Sequence, residues 1–311
     1  MTLLLPYQST RLLSQRLTRL HFWWVILLNI AFAGNAHSAV HIYVVSPTEN
    51  QVAEAFVKRF DTLRPEAWQL SRVSTPPPAA DDRDKSIAIC LGEKMLAQNC
   101  TSAPESLVLA LFVSKDRLDD YQAKLKAFKL SGIYLDAPLQ RQAELTRLLL
   151  PGVTQAAILS SQPITLPIQE AAGQTFTVYQ LDTDEGLPRL LNRALEKSDY
   201  ILGIPDFSIY NGRQIRQILL TAYRHNKVLI GPSLAFVNAG GLATTYSTAE
   251  DYAHQTVEMI NSFLNDGKVP EPVFAKYFAV AVNRQVARSL NLIVPDAEAL
   301  QTKLELLEAQ P

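Results

Sequence analysis

From Val40 onward, short aliphatic or β-branched runs alternate with longer stretches whose apolar residues recur at helical spacing. His41 to Val45 predicts a first strand, and Asn50 to Leu63 a helix with Val52, Ala55, Phe56, Arg59 and Phe60 near one face. A strand is expected near Trp68 to Val73, then buried strands over Ser86 to Leu91 and Ser106 to Val113. A Lys-rich amphipathic helix over Asp116 to Phe128, a strand over Gly132 to Leu135 and a helix over Leu139 to Leu150 complete this series. Between them Ser74 to Lys85, with Pro76, Pro77 and Pro78 ahead of Asp81, Asp82 and Asp84, reads as an exposed loop.

Pro151 and Gly152 interrupt the pattern, and a second series begins. It predicts strands at Ala156 to Leu159, Phe176 to Leu181 and Tyr200 to Ile204, with helices at Leu187 to Lys197 and Arg213 to Arg224. After Val228 to Ile230 comes a turn-rich stretch, Gly231 to Gly241, and a long helix from Ala249 to Leu264 that Asp266, Gly267 and Lys268 terminate. Phe274 to Val282 reads as one strand, and Arg284 to Leu290 and the segment after Pro295 as helices. No period of a solenoid is present. Strands alternating with helices predict an α/β fold of two doubly wound parallel-sheet lobes, each of roughly 100 residues.

Residues 1–39 are expected to lie outside that fold, as a secretory signal peptide. Arg11, Arg16 and Arg19 form a basic n-region without an acid, Phe22 to Ala33 is the apolar h-region, and Gly34, Ala36 and Ala39 are small residues suited to cleavage after Ala36, Ser38 or Ala39. The competing reading, an uncleaved anchor, has too short an apolar run for the roughly 20 residues a bilayer requires. No Cys follows the h-region to carry a lipid, and no later stretch is long and apolar enough to span a membrane.

The 311 residues are 48% hydrophobic and 19% charged, a composition that buries a core. The formal charge of the chain is -1; without residues 1 to 36 it holds 26 basic and 30 acidic groups, a net of -4. That balance offers no footprint for nucleic acid. Cys90 and Cys100 both fall in the exported part, where either a disulfide or two buried free thiols fits the pattern.

Motifs for catalysis are missing: no His-Glu-x-x-His, no Cys-x-x-Cys, no calcium loop, no Gly-x-Ser-x-Gly elbow and no phosphate loop. No metal or cofactor is expected, and no enzymatic activity. What remains are polar and aromatic residues at the carboxyl ends of predicted strands, where open parallel sheets hold their ligands. Ser46 and Thr48 follow the first strand, Asp136 the strand ending at Leu135, Ser160 and Ser161 that ending at Leu159, Asp206 that ending at Ile204, and Ser233 that ending at Ile230. Each has a structural alternative: Ser46, Thr48, Asp136 and Ser233 as helix or turn caps, Asp206 as an N-cap or Asx turn. Tyr210 and Phe236 either stack on a ligand or fill the core beneath these loops.

The run Ser198-Asp199-Tyr200-Ile201-Leu202-Gly203-Ile204-Pro205-Asp206, then Gly231-Pro232-Ser233 and Val237-Asn238-Ala239-Gly240-Gly241-Leu242-Ala243, resembles the ABC-transporter periplasmic substrate-binding proteins of type I fold. Gly132-Ile133-Tyr134 and Val282-Asn283-Arg284-Gln285-Val286-Ala287 extend the resemblance. It implies two α/β lobes closing on a small organic ligand in the cleft between them, and a partner that is an ABC permease or, alternatively, a membrane sensor for which the protein serves as sensory or scaffold component. Residues 40–150 with a return segment near 242–268 are expected in lobe one, and the rest of 151–311 in lobe two. One departure stands out: Phe207 occupies a place where such proteins often carry a second acid.

Overall fold

The computed structural model describes residues 40–76, 85–101, 107–166, 170–182 and 185–309. The expected signal segment with Ala36, Ser38 and Ala39, most of the Pro-Asp loop, and Ser106 lie outside the described residues.

The first sheet is wholly parallel. It takes β1 (Val40–Val45), β2 (Trp68–Arg72), β3 (Lys85–Leu91), β4 (Leu107–Val113), β5 (Lys129–Tyr134) and β12 (Val273–Phe274) in the order β12-β5-β4-β3-β1-β2. Helices cover both faces, so its strands are continuous apolar runs, as in Leu107–Val113. On one face α1 (Gln51–Leu63) and α7 (Ala249–Asp266) bury Phe56, Phe60, Ala253, Met259 and Ile260 against Ile42, Val44, Ile87 and Leu109. On the other, α2 (Lys115–Lys124) and the segment Glu93–Cys100 pack Leu118, Leu96 and Cys100 on Ala88, Cys90, Val108 and Ala110.

Local sequence explains these boundaries. Asn50 caps α1 by accepting from the Ala53 N–H (3.0 Å). Thr248 opens α7 with a reciprocal box, its hydroxyl accepting from the Asp251 N–H while the Asp251 carboxylate accepts from the Thr248 N–H. Gly267, at φ 67°, closes α7 in the left-handed region that glycine adopts without strain. Gly132 is required for another reason: a Cβ there would stand 2.1 Å from the Ala110 carbonyl oxygen of the neighbouring strand.

The second sheet has the order β13-β11-β10-β9-β6-β8-β7. Its strands are β6 (Gln155–Ser160), β7 (Glu170–Ala171), β8 (Gln174–Gln180), β9 (Tyr200–Leu202), β10 (Leu229–Ile230), β11 (Ala243–Tyr246) and β13 (Ala279–Val282). The sheet is largely parallel, as expected, and antiparallel only at its edges, where β7 runs against β8 and β13 against β11. Alternate residues feed two cores. Ala156, Ile158, Tyr200 and Leu202 face α3 (Leu139–Leu149), α8 (Arg284–Ser289) and α9 (Ala297–Glu308), whereas Ala157, Leu159 and Ile201 face α4 (Leu187–Lys197), α5 (Ile215–Arg224) and α6 (Leu234–Ala239).

Three places differ from the sequence reading. α6 occupies the stretch read as turns. The single strand expected over Phe274 to Val282 is two, because Phe274 pairs with Tyr134 in the first sheet and Ala279 with Tyr246 in the second. Third, α3 and β11 belong to the second sheet and its core, so the chain crosses between sheets after Tyr134, after Tyr246 and again over Ala275–Tyr277. The crossings expected at 150 and 242 therefore move, since the apolar faces of Ala143, Leu145 and Leu149 find their partners in the second core.

Arg141 on α3 joins these crossings. Its side chain is 4% exposed and donates to the Glu308 carboxylate at 2.6 and 2.9 Å and to the Ala275 carbonyl at 3.0 Å. Its guanidinium also lies 4.0 Å from the centre of the Phe278 ring. Ser247 donates to the Tyr277 carbonyl (2.6 Å), and the Lys276 N–H donates to the Gln255 side chain on α7 (2.7 Å).

Cys90 and Cys100 form a disulfide between β3 and the end of the Glu93–Cys100 segment, with a Cα separation of 6.5 Å. Of the two readings left open by the sequence, this is the one the structure adopts. Closing a loop with a sequence separation of 10 restricts the unfolded chain by about 3 kcal/mol. The Cys90→Ala/Cys100→Ala variant is expected to lose at least that much unfolding free energy in urea. Glu308→Ala is expected to lose on the order of 3 kcal/mol, because the buried Arg141 charge then keeps only the Ala275 carbonyl and the Phe278 ring as partners; an unchanged urea midpoint would show that the ion pair holds nothing together.

Candidate functional site

Strand order reverses between β1 and β3 in the first sheet and between β6 and β9 in the second. The carboxyl ends of strands at such reversals form the crevices where α/β sheets hold ligands. Ser46 and Thr48 follow β1 at the first reversal; Ser160, Ser161 and Asp206 gather at the second.

Asp206 bridges the second reversal. Its Oδ2 accepts from the Ser161 N–H (2.6 Å), while Oδ1 accepts from the Ser161 hydroxyl (3.0 Å), the Ser208 N–H (3.0 Å) and the Ile209 N–H (3.3 Å). The carboxylate thus closes an Asx turn on its own loop and fastens the end of β6 to the end of β9. With four donors, both oxygens are committed to protein groups. Asp206 organises the site, and its Asx-turn reading holds alongside any ligand role.

Asp136 takes part in a comparable arrangement in the first sheet. Its carboxylate accepts from the Lys115 N–H, at the first turn of α2. Burial pushes its pKa up to about 6, opposed by the Lys115 N–H and its own N–H and reinforced by the charge of Asp116. The sequence alternative had Asp136 capping the helix that follows it; it instead serves the N-terminus of α2, which precedes it in the chain.

The other candidates separate. Ser160 is buried, its hydroxyl turned back onto the Gln162 backbone at 2.6 Å from the carbonyl. Ser46 is half-buried and Thr48 exposed; α1 takes its cap from Asn50, which leaves both hydroxyls outside that role. Ser233 stands at the N-cap of α6 without a side-chain capping bond. Tyr210 and Phe236 pack edge to face at 5.7 Å in the core under the strand ends, 3% and 6% exposed, and burial raises the Tyr210 pKa. Of the two readings for these aromatics, the structure adopts the core one.

Beside Ser161 opens a basin of about 840 Å³, lined by Ser161, Gln162, Gln180, Leu181, Asp182, Glu185, Arg189 and Arg193. It lies at the carboxyl ends of β6 and β8, against the first turns of α4. Arg193 is paired with Glu185 at 2.5 Å, whereas Arg189 has no ion pair among the described residues. Amide, carboxylate and guanidinium groups therefore converge on one concavity, able to donate and accept at once. The sequence reading reached only Ser161 of this set. The available signal was the spacing of Arg189 and Arg193, one helical turn apart at the start of the helix after β8. Among the described residues no cluster of His, Cys, Asp or Glu is arranged to hold a metal ion.

No protein-family model matches the chain, and no curated protein sequence matches it. Solved structures do. An ABC domain in complex with L-Trp from Streptococcus pneumonia is 16% identical, with a TM-score of 0.51 over 86% of this chain and 98% of that one. A conserved domain protein from Vibrio cholerae is 15% identical, with a TM-score of 0.51 over 86% and 98%. The ligand-free, open structure of a substrate-binding protein with adhesive properties from Clostridium difficile is 13% identical, with a TM-score of 0.55 over 83% and 96%. At such identities the likeness is one of fold: this chain has a type I periplasmic binding protein-like fold.

The Asp136 carboxyl binds its proton more tightly folded than unfolded, so it favours the folded state below the unfolded pKa, near 4. That contribution is lost as the pH rises towards its folded pKa of about 6. Asp136→Asn has no such titration. Its unfolding free energy relative to the parent is expected to grow by about 2 kcal/mol between pH 4 and 7, with an NMR titration placing the parent carboxyl near 6. A pH-independent difference between the two proteins would refute this assignment.

Proposed function

We propose that this chain is a solute-binding protein of the cell envelope, exported by its N-terminal segment, which captures a small organic ligand and delivers it to an ABC permease in the periplasm without making or breaking bonds. The observation that carries this reading is the basin at the strand ends of the second sheet. Its size suits a small molecule, and it sits beside an order reversal, where this class of sheet holds ligands.

In this reading Arg189 and Ser161, with the amides of Gln162 and Gln180, orient the ligand's polar groups. Asp206 holds Ser161 in place in advance of binding, which spares the ligand that ordering cost. Ser46, Thr48 and Asp136 mark the opposing wall at the strand ends of the first sheet. Closure is a hinge motion of the two halves about the three crossings, and the ligand drives it only by contacting both. Among the described residues no helix is long and apolar enough to cross a membrane. A second reading places a membrane sensor where the permease stands, with Phe207, 69% exposed in the loop after β9, as a contact for it.

Native mass spectrometry of the purified chain tests capture: a small mass is expected to leave on denaturation. Arg189→Ala is expected to weaken binding of that molecule at least tenfold, the cost of a charged hydrogen bond, as read by calorimetry. No released mass, together with no thermal stabilisation by amino acids, sugars or aromatic acids, would sink the proposal.

A further inference from the structure

α4 presents two polar faces. Arg189 and Arg193 turn towards the basin, whereas Pro188 and Asn192 turn the other way and form one wall of a second groove, of about 500 Å³. The opposite wall is α5 and the turn before it, with Arg213, Arg216, Leu220 and Arg224. His225, hydrogen-bonded to Asn192 across 3.1 Å, lies at one end. The basin and this groove share no lining residue.

The charge of this groove is out of step with its surroundings. Val40–Pro311 is acidic overall, yet the groove is lined by three arginines and a histidine and by no carboxylate. Elsewhere Arg64, Arg72, Arg117, Arg147 and Arg284 each face an acid, whereas Arg189 in the basin does not. Arg213, Arg216 and Arg224 have no ion pair among the described residues. Three cations without an acid between them give the groove a local positive potential that attracts an anion.

The same helix face carries apolar surface. Leu220 and Tyr223 are 50% and 53% exposed, between Arg216 and Arg224 in sequence. Tyr and Arg are enriched at protein interfaces, and Tyr223 and Leu220 add apolar area to the arginine-lined face. Arg216 and Arg224 are about 12 Å apart along the axis, two helical turns. A partner helix with acidic residues at the same interval meets both while laying an apolar side chain over Leu220.

We infer that the groove between α4 and α5 docks a partner protein through an acidic, amphipathic segment. The concavity favours a segment with side chains over a flat lipid surface, which would reach the arginine tips and leave the groove unfilled. This surface is separate from the ligand basin and stands whether or not the basin takes a solute.

The probe is an 18-residue helical peptide with Glu two turns apart on one face and Leu between them, titrated by fluorescence anisotropy against the full chain. Binding in 50 mM NaCl is expected, falling at least tenfold in 500 mM. Arg216→Glu/Arg224→Glu is expected to weaken it at least tenfold with an unchanged melting temperature, and Leu220→Ser severalfold. A peptide with Lys in place of Glu should not bind. No salt-sensitive binding, or equal binding to the charge-reversed chain, overturns the inference. Vesicles of phosphatidylglycerol form the second arm: if they bind the parent and not the charge-reversed chain, while the peptide binds neither, the surface is a membrane-contacting one and the inference fails.

Discussion

One buried guanidinium governs how the two halves of this molecule are joined. Arg141 sits where two of the three crossings and the C-terminal helix meet, and its charge cannot be left without partners in an apolar core. The Glu308 carboxylate, the Ala275 carbonyl and the Phe278 ring supply them, one from α9, one from the last crossing and one just after it. α3 is thereby anchored to the second sheet although it follows directly on a strand of the first. The remaining crossing contacts, at Ser247 with Tyr277 and Gln255 with Lys276, are neutral hydrogen bonds. Such bonds contribute only about 1 kcal/mol each, less than the buried charge at Arg141 costs when it loses a partner.

The strand ends follow a similar economy of partners. A parallel sheet leaves backbone N–H groups at the ends of its strands and at the starts of the helices that follow, and buried donors must be satisfied. Asp206 and Asp136 each do this across chain segments, one between β6 and β9 and the other between β5 and α2. These acids are consumed in building the crevice. The basin is lined besides by groups that this bracing does not use, Arg189, Gln162 and Gln180, and this is why its lining differs from the set of polar residues found simply by reading off strand ends.

Helix α4 then relates the two outer surfaces. It buries Leu187, Leu190, Leu191, Ala194 and Leu195, so its exposed positions divide into two flanks on either side of that apolar stripe. One flank belongs to the basin and the other to the basic groove, and a rigid helix holds both at a constant distance. The two surfaces therefore share no side chain, and a contact at one does not compete for residues of the other.

Much of the fold was legible from periodicity alone. Apolar runs of strand length between helical patterns point to the α/β class, and the expected bounds of β1 through β6 and the longest helices lie within a few residues of the structure. Asn50, Thr248 and Gly267 state helix ends in residue types whose chemistry is local. The sequence also narrowed Cys90 and Cys100 to two states, but their proximity required the Glu93–Cys100 turn to fold back on β3. Tertiary structure alone split Phe274–Val282 between two sheets, because a continuous apolar run does not say on which side of a crossing each residue finds its partner. It alone decided the roles of the site residues. Asp206 takes its donors from Ser161, 45 positions away, and Tyr210 finds Phe236 in the core; periodicity measures spacing within an element, whereas the satisfaction of a polar group and the burial of a ring depend on what other elements bring beside them.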